Sequence, residues 1–290
     1  MPELPEVETM CRGIAAICGR RIAAVTTPPC PYRPIAISPD VATIDARLRG
    51  DTVEQVSRIG KRVVIHTRQW ALILQPKMAG LVAIEAPPDA EHVRLRIEFR
   101  GRPRLQLDFW DRRGLGTVQL IPAGELQQRI VDGRLGPDAL SISSPDFAQR
   151  LQATRRPIKV ALLDQKIVAG IGNLYASEML HVARIHPQTP AAALTRGQLK
   201  KLYQAMQSIL TTAIEHEGST LADGTYRNAL NDPGSYQNHH LVYARAQLAC
   251  PTCRKESIQR IVQAQRSTFF CPRCQPVRTA RVKNAGSGDL

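Results

Sequence analysis

Aromatic side chains are scarce here: five Phe, two Trp and six Tyr make up 4% of 290 residues. That does not exclude a packed interior. The hydrophobic share is 43%, and Leu, Ile, Val and Ala supply most of it. Acids are also few, 25 against 39 Lys and Arg, for a formal charge of +14 and a sequence pI near 9.9. This balance says nothing about fold, but it points to a polyanionic partner, most simply nucleic acid. No 18 apolar residues run together, which removes a helical membrane span. No terminal run is amphipathic and lysine-rich, so a membrane surface fits poorly. The acidic start lacks an apolar signal core, so a reducing, cytoplasmic setting is expected. Neither an internal repeat nor a nucleotide-binding glycine loop is present. The length leaves room for two domains, or one plus a small module.

What is there begins with MPELPEVE, an acidic, proline-bearing start on a basic chain. Pro5 suits the first turn of a helix, where its missing N–H costs little. Val7, Met10, Cys11, Ile14 and Cys18 recur at helical spacing, and Gly19 reads as the stop. Pro2 and Glu3 therefore sit at or just before a helix N-terminus. These residues alone allow two readings. One is a plain helix start with acids favoured by the dipole. The other is chemical. Removal of the initiator methionine, which the small Pro2 permits, leaves a secondary amine of pKa about 8, by comparison with α-amines. Such an amine attacks electrophilic carbon and forms an iminium, and Glu3 is near enough to move protons.

Residues 20–121 read as strands: Arg62–Thr67, Ala71–Gln75, Gly80–Ile84, Val93–Phe99, Arg104–Phe109 and Thr117–Ile121 are short and rich in Val, Ile and Leu. An antiparallel sandwich or flattened barrel is expected over residues 1–132. Within it, 28–40 reads as a loop or irregular edge, and Cys30 has no assigned role. A linker over 133–146 follows, then helices over 147–244. The longest has Thr195 and Gln198 as a capping box, Leu199, Leu202, Met206, Ile209, Ala213 and Ile214 as its core stripe, and Gly218 at its end. Residues 219–240 lack a period and read as a mobile loop, and 278–290 as a disordered tail.

CPTC (250–253) and CPRC (271–274) form C-x2-C…x17…C-x2-C, with a hairpin-like stretch between. Cys250, Cys253, Cys271 and Cys274 are expected to hold one tetrahedral structural zinc, with an iron–sulfur centre as the rival. Cys11 and Cys18 read as core residues of the first helix. Arg245 to Lys283 carries nine Lys or Arg and one acid, which suits phosphate contact over the module at 245–277.

Four stretches in order, MPELPEVETMCRG, IGKRV, LLDQKIVAGIGNLYASE and QRSTFFCPRC, resemble the formamidopyrimidine-DNA glycosylase family, and PELPE resembles its oxidised-purine branch. The resemblance runs from residue 2 to about 275. It implies an α+β fold: an N-terminal helix with a β-sandwich, a helix–two-turn–helix domain, and a zinc-ribbon hairpin. It implies excision of formamidopyrimidines and 8-oxoguanine from duplex DNA, then β,δ-elimination at the abasic site. On this likeness Pro2 is the nucleophile at C1′ and Glu3 the proton carrier. Lys61 assists near base and phosphate, Asn173 and Lys159 grip the backbone, and Arg266 binds the phosphates flanking the lesion. From the residues alone, the GIGN turn reads either as a plain tight turn or as a phosphate seat.

Two regions depart from the family pattern. QPKMAG (75–80) stands where HLGMSG is common; Met78 is retained as the filler of the vacated stack, while Gln75, Pro76, Lys77 and Ala79 differ. WDRRGLG (110–116) replaces a DPRRFG loop. Arg112 or Arg113 is expected to face the orphaned base; either Leu115 is the apolar wedge or Gly114 leaves that place empty. These departures keep open a shifted substrate range, such as oxidised pyrimidines or mainly abasic sites. Charge and a zinc ribbon alone also fit a non-catalytic DNA-binding protein. One chain contains every expected site, so a monomer is expected.

Overall fold

The computed structural model describes residues 2–84, 87–220, 226, 228 and 232–277. Helix α1 (Leu4–Gly13) opens the chain. Then come β1 (Ile22–Thr26), β2 (Ala36–Ser38), helix α2 (Val41–Leu48), β3 (Gln55–Ile59), β4 (Arg62–His66), β5 (Trp70–Gln75), β6 (Gly80–Ala83), β7 (Val93–Phe99), β8 (Leu105–Asp111) and β9 (Thr117–Pro122). Two sheets stack, in strand order β1-β7-β8-β6 and β2-β9-β5-β4-β3. Helices α3 (Ser144–Gln152), α4 (Ile158–Leu163), α5 (Asn173–Val182) and α6 (Arg196–Glu215) follow, and the hairpin β10 (Gln259–Gln263) and β11 (Arg266–Phe270) comes last. This is the expected α+β architecture.

Three local expectations are corrected. Helix α1 stops at Gly13, with Ile14 as its cap, and a 3-10 turn over Ala15–Ile17 follows. The tighter turn rotates the apolar pattern off its stripe, so Cys18 is exposed and only Cys11 is buried. Residues 41–48, inside the stretch read as strands, form α2, with the Asp40 carboxylate accepting from the Thr43 amide at 3.0 Å. The β-branched Val41, Thr43 and Ile44 disguised it, but Ile44 and Leu48 are buried one turn apart. The segment 28–40 holds β2, which pairs with β9 in parallel, Ala36 opposite Thr117, so the sandwich is not wholly antiparallel. Part of the loop expected to be mobile at 219–240, and all of the expected tail at 278–290, lie outside the described residues.

Helix α1 belongs to two cores at once. Val7, Met10 and Ile14 pack between the sheets with Leu72, Leu81 and Phe109. Leu4, one turn earlier, packs instead among Ile158, Ile171, Tyr175 and Leu180 of the helical half. Burial of aliphatic side chains on two faces holds the start of the chain at the seam between the halves. Arg58 on β3 reinforces this seam. Its side chain is 8% exposed; Nε donates to Glu8 on α1 at 3.0 Å, and Nη1 and Nη2 donate to both Asp138 oxygens at 2.5 and 2.9 Å. The fork-on-carboxylate pairing is the strong form of such a contact. Asp138→Ala leaves Arg58 with Glu8 and the Gly60 carbonyl. Asp138 is a quarter exposed, so the expected loss is about 2 kcal/mol, below the roughly 3–5 kcal/mol of a fully buried pair; a urea unfolding curve measures it.

Candidate active site and nucleic-acid interface

The start of the chain docks on the turn before α5. The Leu4 amide donates to the Gly170 carbonyl at 3.1 Å. Glu3 then places its carboxylate on the first turn of α5, accepting from the Leu174 amide at 3.0 Å and the Tyr175 amide at 3.4 Å. Helix N-termini leave such amides unpaired and favour an anion. Two glycines make room. A Cβ at Gly172 would lie 2.1 Å from the Glu3 carboxyl carbon, and one at Gly170 would lie 2.4 Å from the Leu4 side chain. The anion seated by the Leu174 and Tyr175 amides is thus Glu3, which favours the plain-turn reading of GIGN over the phosphate seat.

Behind Glu3 lies Glu6, 3% exposed. It accepts from the Tyr175 hydroxyl at 2.5 Å, the Ser219 amide at 2.9 Å and the Glu3 amide at 2.9 Å. Burial, then the nearby Glu3 charge, pushes its carboxyl above the ordinary range. Burial likewise keeps the Tyr175 phenol protonated as a donor. The sequence reading passed over Glu6, Tyr175 and Ser219. The usable signal for Glu6 was its place three residues after a helix-capping Glu.

Two adjoining cavities open above this floor. One of about 500 Å³ is walled by Glu3, Glu6, Met78, Asn173, Ser219 and Arg266, among others. The other, of about 330 Å³, shares Met78 and Arg266 and is walled by Pro2, Lys61 and Gly172. The fold therefore gathers Pro2, Glu3, Lys61, Met78, Asn173 and Arg266, which are scattered over 265 positions of sequence, into one cleft. Pro2 is buried at its floor. Lys61 sits in the two-residue turn between β3 and β4. Burial draws its ammonium below the usual range, against the pull of Glu3 and with the push of Arg266. Met78 is 38% exposed, unusual for so large an apolar side chain, and overhangs both cavities.

Lys159 is placed otherwise than expected. It is wholly buried and spends its three ammonium hydrogens inside the protein: on Asn173 Oδ1 at 2.8 Å, the Ser267 carbonyl at 3.1 Å and Thr268 Oγ1 at 2.9 Å. Asn173 Nδ2 donates to the same Ser267 carbonyl at 3.0 Å. Lys159 thus fixes Asn173 and ties β11 to the helices, and a direct backbone grip by Lys159 is withdrawn.

Arg112, Arg113 and Leu115 line neither cavity. Their loop is the neighbour of the Met78 turn, because Gly80 pairs with Asp111 in the sheet. The buried Asp111 carboxylate shapes it, accepting from the amides of Arg113, Leu115 and Gly116 at 3.0, 2.8 and 2.6 Å. Both arginines are exposed and Leu115 is half-buried.

The four cysteine sulfurs of the terminal module lie within 4.8 Å of one another, with Cys250 to Cys274 at 3.9 Å and Cys253 to Cys271 at 3.7 Å. A tetrahedron with metal–sulfur bonds of about 2.3 Å has edges of about 3.8 Å. The sulfurs fit such an ion. Gln275 braces the module against α5, accepting from the Cys271 amide and contacting His181.

Family models match in the same order along the chain: the formamidopyrimidine-DNA glycosylase N-terminal domain over residues 1–118, the formamidopyrimidine-DNA glycosylase H2TH domain over 135–224, and the zinc finger found in FPG and IleRS over 248–277. The formamidopyrimidine-DNA glycosylase of Chloroflexus aurantiacus is 39% identical over 281 residues, covering 95% of this chain and 98% of its own. The chain belongs to the formamidopyrimidine-DNA glycosylase family. Glycosylase and abasic-site lyase activity come with that membership. The crystal structure of the Thermus thermophilus MutM (Fpg) protein superposes with TM-score 0.83 at 35% identity, covering 94% of this chain and 98% of that one. Lactococcus lactis Fpg in complex with DNA containing an abasic site superposes with TM-score 0.84 at 30% identity, covering 95% and 100%.

Two outcomes check this geometry. Gly172→Ala drives a methyl into Glu3; base release is expected to fall at least tenfold while the melting temperature changes by only a few degrees. For Lys159, burial draws the ammonium down to about 7, with Glu3 opposing and Arg266 adding to the shift. The unfolded chain keeps that proton to about 10.4. Between these values the unfolded state binds more protons, so Lys159 contributes stability that rises with pH across this window. Comparing urea midpoints of the parent and Lys159→Met from pH 7 to 10 checks it: the variant loses that rise.

Proposed function

We propose that this chain removes oxidised purines, formamidopyrimidines and 8-oxoguanine, from duplex DNA and then cuts the abasic strand through an iminium on Pro2. The observation that carries this reading is the meeting of Pro2, Glu3, Lys61 and Arg266 in one cleft whose floor is the start of the chain. A DNA-binding protein without chemistry has no use for that arrangement.

A base inside the duplex cannot present C1′ to a buried amine, so the nucleotide must be everted, at a cost of a few kcal/mol. Asn173 and Arg266 grip the bent backbone, and Met78 fills the vacated stack. The larger cavity, with Leu174 and Met78 as apolar walls and Glu6 and Ser219 as polar ones, receives the base. The Pro2 nitrogen, freed by loss of the initiator methionine and neutral in part at working pH, bonds to C1′ as the glycosidic bond breaks. The base departs with a proton. The C1′–O4′ bond of the sugar then opens, O4′ taking a proton, and the nitrogen lone pair forms the iminium; this acidifies C2′, whose proton is lost as the bond from C3′ to oxygen breaks, and a second elimination breaks the 5′ side. Glu3 accepts and returns these protons from its seat on α5. Lys61, drawn toward neutrality by burial, assists beside it.

Zinc on Cys250, Cys253, Cys271 and Cys274 would be structural, because four thiolates leave no open position. Its work is to hold β10 and β11 so that Arg266 reaches the cleft. One chain carries every part, which fits a monomer.

Borohydride trapping on duplexes bearing 8-oxoguanine opposite cytosine, formamidopyrimidine, thymine glycol and an abasic site tests the reading. A covalent adduct is expected on the two purine lesions and on the abasic duplex, with loss of at least 100-fold in trapping for Pro2→Gly. Excision of thymine glycol with 8-oxoguanine untouched would shift the substrate to oxidised pyrimidines. Binding of abasic duplex without an adduct or cleavage would remove the chemistry altogether.

A further inference from the structure

Away from the cleft, a separate cavity of about 220 Å³ lies where the 27–37 segment crosses β7. Thr27, Cys30, Tyr32, Ile35 and Arg94 are among its walls. Arg94 is 4% exposed. Its Nε donates to the Asp111 carbonyl at 2.8 Å, and its Nη1 donates to Cys30 Sγ at 2.5 Å. Among the described residues its Nη2 has no acceptor, although it is buried. An orphaned donor on a buried guanidinium is costly, and it sits on the same planar fork as the nitrogen that holds the sulfur. Cys30 itself is partly open to solvent.

We infer that Cys30 is a peroxide-reactive thiol whose oxidised sulfur is received by the Arg94 fork. The sulfur attacks one oxygen of a hydroperoxide. An S–O bond forms and the O–O bond breaks. Sulfur gives up two electrons to become a sulfenic acid, and the departing oxygen of hydrogen peroxide leaves as water with the thiol proton. The new oxygen supplies the acceptor that Nη2 lacks, while Nη1 keeps its contact with sulfur. A cationic neighbour and partial exposure are the surroundings in which cysteines react. The other two cysteines outside the metal module serve as internal controls. Cys11 is buried, and burial with the Glu8 charge pushes its thiol up to about 12. Cys18 is more exposed than Cys30 but lies outside the Arg94 cavity. Because Arg94 also holds the Asp111 carbonyl, the site stands directly behind the loop that carries Arg112 and Arg113.

The test uses the full zinc-bound chain with near-stoichiometric hydrogen peroxide. A cyclic 1,3-diketone captures the sulfenic acid, and peptide mass spectrometry locates it. Cys30 is expected to label at least tenfold faster than Cys18. Cys30→Ser removes that label and leaves the Cys18 rate unchanged. Arg94→Lys keeps the charge but not the fork, and is expected to slow Cys30 labelling at least fivefold. Should Arg94→Lys fail to fold, as judged by its circular dichroism melt, the rate ratio in the parent chain decides. Labelling at Cys18 as fast as at Cys30, or first loss of thiols from the metal module, overturns the inference.

Discussion

Everything in the cleft depends on one charged contact, the Glu3 carboxylate on the first turn of α5. A helix N-terminus needs an acceptor, and a chain start needs an anchor; this contact meets both demands with one side chain. It works only because Gly170 and Gly172 let the N-terminal segment lie against the turn. Leu4 then enters the helical core, and the next turn of α1 enters the sandwich core. Pro2 to Val7 are thereby buried at the seam between the halves. A terminus is ordinarily its loosest part.

The same contact organises charge. Glu3 draws the Lys61 ammonium up while burial and Arg266 draw it down, so its protonation is set by the cleft rather than by its own chemistry. Lys159 feels the same two charges from the other side. It spends its hydrogens on Asn173, Ser267 and Thr268, so the helices and the hairpin share one buried node. Arg266 occupies the start of β11, next to Ser267, and its position in the cleft follows from that node and from the thiolate cluster that closes the module.

Much of this was legible in the residues, and for nameable reasons. The α6 capping box and stripe were readable because Thr195, Gln198 and the apolar spacing are local signals. Val93–Phe99 was readable to its ends because β-branched residues and turn formers bound it. The cysteine module was readable because tetrahedral coordination imposes its spacing. Helix α2 was not, since Val41, Thr43 and Ile44 favour strands and only tertiary burial of Ile44 and Leu48 settles the matter. The fate of Lys159 was not legible either. A lysine at the start of a helix, in a basic chain, reads as a phosphate contact, and its acceptors lie up to 109 positions away. The two GIGN glycines were visible, but the carboxylate they admit stands 171 positions before the Leu174 amide that holds it. Local chemistry is written locally; the partner of a buried charge is not.

The departures at QPKMAG and WDRRGLG can be weighed on the same footing. Their proximity follows from sheet register, Gly80 against Asp111, so substitutions in one turn are felt by the other. The second loop is folded by its own buried carboxylate, which takes three of its amides, and by Gly114, where a Cβ would meet the Arg33 carbonyl at 2.6 Å. None of these supports passes through Glu3, Glu6 or α5. The WDRRGLG loop is therefore held by supports distinct from the contacts that seat Glu3 on α5. On the reading proposed above, change in these two turns alters which lesions are held long enough to react, and the fate of a nucleotide already in the cleft rests with Pro2 and Glu3.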